Sequence, residues 1–83
     1  MVEKELHINN ASNHEFELAT LIVQQASQFD SMIRIIMDDK QVNAKSIMGM
    51  TYLSLMDGDT VTVTCSGQDE QKALVALQEL LEK

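Results

Sequence analysis

Thr60-Val61-Thr62-Val63-Thr64-Cys65-Ser66 is the stretch from which the fold is read. Polar hydroxyls and apolar side chains alternate strictly along it, the period of a strand with one face on a core and one on water. Val61, Val63 and Cys65 therefore face in, which makes Cys65 a small buried hydrophobe and not a reactive thiol. Toward the C-terminus, Gly67 breaks the strand and Asp69 is placed to cap. Residues 70–82 then carry Ala73, Leu74, Leu77, Leu80 and Leu81 on one face of a helix. Toward the N-terminus, Asp57-Gly58-Asp59 is a turn, and Ser46 caps a short helix over 47–52. Before it, the β-branched run Met32-Ile33-Arg34-Ile35-Ile36-Met37 turns at Asp38-Asp39 and returns as Lys40-Gln41-Val42-Asn43, a hairpin. From about Phe16, apolar residues recur at Ala19, Ile22, Val23 and Ala26 in helical spacing, and the helix ends by Asp30-Ser31. Residues 3–8 read as a half-buried strand with Leu6 and Ile8 inward, and 9–13 as a polar loop.

The order is βαββαβα, one layer of helices on one layer of sheet in an α+β fold. With 83 residues there is room for one domain over 1–83 and one core. Aromatics are only 4% of the chain, so that core is aliphatic. The uncovered sheet face carries Thr60, Thr62, Thr64, His7 and Arg34, together with Met32 and Ile36. Those two apolar residues read either as scattered exposed hydrophobes or as a patch through which the chain forms a homodimer. A single cysteine gives no internal disulfide and no metal-ligand set. No signal peptide and no membrane-spanning run occurs, so the cytoplasm is the expected compartment. The net charge of −7, from 13 acids and 6 bases, argues against nucleic acid as a partner. No nucleophile-base-orienter set, phosphate-cradling glycine loop or metal cluster points to a stand-alone enzyme or to a cofactor.

Three stretches resemble the histidine-containing phosphocarrier (HPr) family, and together they cover about the whole chain. They are Ala19–Ala26 with Phe29 and Ser31, then Lys40-Gln41-Val42-Asn43-Ala44-Lys45-Ser46-Ile47-Met48-Gly49-Met50, then Ser66-Gly67-Gln68-Asp69-Glu70 with Ala73, Leu74 and Leu77. The second, similar to the family's regulatory serine site, is the most specific. The resemblance implies an open-faced β-sandwich in which three helices cover one face of a four-stranded antiparallel sheet. It also implies a place in the phosphoenolpyruvate:sugar phosphotransferase system.

The departure lies where relatives carry Gly-x-His-Ala-Arg-Pro before the first helix. Here the segment reads Asn13-His14-Glu15-Phe16-Glu17-Leu18, so Glu15 takes the histidine position and Glu17 the arginine position. Transfer in the family needs a neutral imidazole nucleophile, helix N-terminal N–H groups and an Arg to hold the phosphoryl oxygens. A phosphate on Glu15 meets Glu17 instead. At ~5 Å and an effective dielectric of ~20, each like-charge pair costs roughly 3 kcal/mol before solvent screening. His14, one residue away, is the residual candidate acceptor, though the same two carboxylates face it; its plainer reading is a solvated loop histidine.

Ser46 is the site that remains. Helix capping is its structural duty, and the resemblance implies regulatory phosphorylation by an HPr kinase/phosphorylase as well. The partner surface so implied is Thr20 with Ile47, Met48, Gly49 and Met50. The class closest in logic is the Crh type, paralogues without the phosphohistidine that act with a catabolite control transcription factor. They keep the arginine where this chain has Glu17, and Gln24 and Ser27 stand at positions often basic in relatives. Three readings follow: a regulatory protein acting through Ser46, with enzyme I not a partner; a phosphocarrier using His14 or Glu15; and an interaction module pairing through Met32 and Ile36.

Overall fold

The computed structural model describes residues 1–9 and 15–82, and for residues 15–17 the backbone alone. Seven elements follow in the expected order: β1 (Val2–His7), α1 (Glu15–Ala26), β2 (Met32–Met37), β3 (Lys40–Asn43), α2 (Ile47–Leu53), β4 (Thr60–Ser66) and α3 (Glu70–Glu82). The strands form one antiparallel sheet in the order β1-β4-β2-β3. The alternating strand quoted above is thus internal, paired on both sides. Its inward residues Val61, Val63 and Cys65 are buried, as are Leu6 of β1 and Ile33 and Ile35 of β2. Ile8, placed on the first strand by the sequence, lies just beyond it. It is equally buried, because its N–H donates to Asp59 O at 2.8 Å and keeps the chain against the sheet.

The helices cover one face. Leu18, Ala19, Ile22 and Ala26 of α1, Met50 and Leu53 of α2, and Ala73, Leu74, Leu77 and Leu81 of α3 close the core. At ~25 cal/mol per Å² of apolar surface removed from water, the Leu, Ile and Met side chains among them stabilise the fold by roughly 1.5–3 kcal/mol each, the alanines by less. Leu80 is half-buried at the margin of that stripe. The other face holds Thr60, Thr62, Thr64, His7, Arg34, Met32 and Ile36 as alternation requires; Met32 is exposed and Ile36 half-buried.

Asp69 does more than begin α3. Its carboxylate accepts the Asp30 N–H at 2.9 Å, the Ser31 N–H at 3.0 Å and the Ser31 hydroxyl, pinning the turn between α1 and β2. The Ser31 hydroxyl, then the Asp30 N–H, hold Asp69 below its usual pKa. Gly67 N–H donates to Glu70 Oε1 at 3.1 Å while Glu70 N–H returns to Gly67 O at 3.3 Å, a reciprocal cap. At the far end Glu82 Oε2 accepts the His7 N–H at 3.1 Å, which holds Glu82 below its usual pKa and fastens β1 to α3. Lys4 Nζ adds a contact to Gln78 Oε1 at 3.1 Å.

Candidate functional site

The hairpin sets the position of Ser46. Ala44 N–H donates to Ile33 O at 2.9 Å, and Asn43 Oδ1 accepts the Lys45 N–H at 2.9 Å, so the chain leaves β3 along a fixed path. Lys45 Nζ reaches across to Phe29 O at 2.7 Å and ties this path to the turn after α1. Ser46 follows with extended backbone (φ −106°, ψ 117°), and its Oγ accepts the Gly49 N–H at 3.2 Å. This is the capping arrangement that the sequence indicates for a Ser before a short apolar helix. A Cβ on Gly49 would stand 3.2 Å from Val42 Cβ, so this glycine lets α2 lie close on β3.

The helical period then sorts α2 into two faces. Ile47 and Met48 point to solvent, 40% and 80% exposed, whereas Met50 is 1% exposed and belongs to the core. Met50, expected from the sequence to be available to a partner, is therefore inaccessible. A residue four beyond the cap, its N–H bonded to Ser46 O at 3.0 Å, rotates onto the sheet side with Leu53. Gly49 is half-buried against β3, and Thr20 is half-buried on α1.

Sequence reasoning missed the continuation of the exposed face. Tyr52, 63% exposed, lies four residues after Met48, and Met56, 60% exposed, follows the helix. The i, i+4 spacing of Met48 and Tyr52 was the available signal. Lys40 Nζ sits 5.1 Å from the centroid of the Tyr52 ring, a cation–π contact that draws a basic group to the edge of the patch.

Of the other candidates, Glu15 opens α1, so the backbone of residues 15–17 forms the helix's first turn. The side chains of Glu15 and Glu17, and His14 altogether, lie outside the described residues. Among the described residues no group of three His, Cys, Asp or Glu side chains is placed to hold a metal, and no helix is long and apolar enough to cross a membrane. Cys65 is buried, and burial foremost, with Glu70 and Asp69 adding to it, pushes its thiol up to about 11.

The chain as a whole is similar to known proteins. The chain is 43% identical over 83 residues to the HPr-like protein Crh of Halalkalibacterium halodurans, covering 100% of this chain and 99% of that one. Its fold matches a crystal structure of the phosphocarrier protein HPr from Bacillus anthracis with a TM-score of 0.92 at 37% identity, over 98% of this chain and 96% of the other. It also matches Crh of Bacillus subtilis, described as a domain-swapped dimer, with a TM-score of 0.74 at 38% identity, over 96% and 92% of the two chains. A family model described as the PTS HPr component phosphorylation site matches residues 2–83, and with these relatives it shows that the chain belongs to the HPr-like phosphocarrier family and is of the Crh type.

Proposed function

We propose that this chain is a regulatory HPr-type protein that works through phosphorylation of Ser46 and no longer carries phosphate on a histidine. The observation that supports this most is the setting of Ser46: a half-buried cap hydroxyl on a fixed path, immediately followed by the solvent-facing side chains of Ile47 and Met48. Phosphorylation adds up to two negative charges beside an exposed apolar patch without requiring the core to move. A modified and an unmodified surface then differ enough for a partner to tell them apart. The sequence of the first turn of α1, with Glu15 and Glu17 where the phosphate-carrying members of the family have His and Arg, supports the loss of transfer.

In this reading residues 1–83 act as one unit in the cytoplasm, with no cofactor and no catalysis of their own. The modifying enzyme is an HPr kinase/phosphorylase, the target is a catabolite control transcription factor, and enzyme I is not a partner. The contact set is Ser46, Ile47 and Met48, extended by Tyr52 and flanked by Thr20 and Gly49.

The test is paired phosphorylation of the intact protein, read by mass and site mapping. One arm holds ATP and an HPr kinase; the other holds phosphoenolpyruvate and enzyme I. An acid-stable phosphate on Ser46 in the first arm alone, absent from Ser46→Ala, is the expected result. A labile phosphate in the second arm, lost in His14→Ala or Glu15→Ala, identifies a working carrier and overturns the reading.

A further inference from the structure

The uncovered sheet face has an arrangement that the Ser46 reading does not use. The strand registers place Glu3, Thr64, Arg34 and Asn43 in one lateral row across β1, β4, β2 and β3. Glu3 and Arg34 both project from the open face, two strand spacings or about 10 Å apart, and they do not pair with each other. Arg34, the chain's sole arginine, has no ion-pair partner among the described residues, in a protein with 13 acids. The neighbouring row has an exposed methionine at each end of Ser66: Met32 pairs with Ser66 and is 57% exposed, and continuing the β1 register by one residue brings Met1, 77% exposed and with its amine 3.2 Å from Glu70 Oε2, into line with it.

We infer that this face binds a second copy of the same chain. A twofold axis running along β4, between two face-to-face sheets, carries β1 of one copy over β2 of the other. That single operation sets Glu3 against the second copy's Arg34 and Met1 against its Met32, each contact occurring twice. Thr62 and Thr64 meet their own copies at the centre, where small hydroxyls let the sheets approach. The third row sets Glu5 against Ile36, and β1, as an edge strand, lets that carboxylate turn out to water. The charge pattern selects this occupant: a row that is acidic at one strand and basic two strands away is complementary to itself under this axis. An acidic partner of another kind would leave Glu3 and Glu5 repelling it.

Three overlapping strands give only about 300 Å² of flat area per copy, so the dimer is weak and reversible. The inference stands apart from the Ser46 reading and needs no phosphorylation.

Sedimentation equilibrium of the full chain, run to about 1 mM protein at about 0.15 M salt, tests it. The expected result is a mass-average rising reversibly above that of the monomer. Glu3→Arg and Arg34→Glu, both on exposed side chains and checked for an unchanged melting temperature, each weaken association about tenfold, because each reverses two contacts per dimer. Combining them, with the charges exchanged, restores it to within about threefold. A monomer at every concentration, association indifferent to either reversal, or no recovery in the exchanged pair overturns the inference. A dimer made by exchanging strands falls in the indifferent class, since these side chains stay on the open face whichever chain supplies β1.

Discussion

Gly67 sits where a side chain would collide with the backbone of Ser31. An added Cβ would lie 2.7 Å from Ser31 Cα and 2.6 Å from its Oγ. The Cα is backbone and the Oγ is held by Asp69, so neither gives way easily and Gly67→Ala is expected to cost about 3 kcal/mol, at the upper end of overpacking effects. Urea unfolding reads that directly, and a loss below ~1 kcal/mol would show that the junction can open at little cost. The carboxylate beside it carries a pH signature. Asp69, Glu70 and Glu82 are all held below their usual pKa by backbone or hydroxyl donors. Each therefore binds protons more weakly folded than unfolded, so its stabilisation is full above the ordinary carboxylate range and lost as pH falls below it. Melting temperature is expected to be flat from neutrality to about pH 5 and to fall below about pH 4. In Asp69→Asn the neutral-pH melting point drops and part of that acid dependence disappears.

At the scale of elements, α2 tests the division of its faces. Met50→Ala removes a side chain that is 1% exposed and is expected to cost 2–5 kcal/mol. Met48→Ala, on the solvent side, stays within about 0.5 kcal/mol and changes partner binding instead. Equal effects on stability would contradict the assigned rotation of the helix. This helix also shows how far sequence reading reaches. Its cap was legible in Ser46 because a hydroxyl before a short apolar run has one good use. Its inner face was not, since Ile47, Met48 and Met50 are all apolar and a helix this short gives little period to fit. The long amphipathic pattern of α3 and the alternation of β4 were readable because a one-residue error there would bury polar groups. What sequence could not supply were contacts distant along the chain: Asp69 on the turn at Ser31, Glu82 on His7, and Lys45 on Phe29. Local spacing carries no trace of them. The departure at Glu15 and Glu17 was visible as a break in a familiar pattern, while the row joining Glu3 to Arg34 needed the strand register.

Across the whole molecule, the sheet order makes β4 the strand that everything else encloses. It pairs with β1 on one side and β2 on the other, and the helices lie over its apolar face. Cys65 lies in that strand, fully buried, with a thiol pushed up to about 11. The protein thereby contains its own stopwatch for complete opening. A thiol-reactive dye is expected to reach Cys65 where β4 has come away from its neighbours, so the modification rate reports that opening. In native buffer it is expected to run on the order of 1,000-fold or more below the rate in denaturant, as a domain of ordinary stability requires. Followed with and without a phosphate placed on Ser46, the same clock gives the free energy that the modification adds to or takes from the fold, with no probe attached to the Ser46 face.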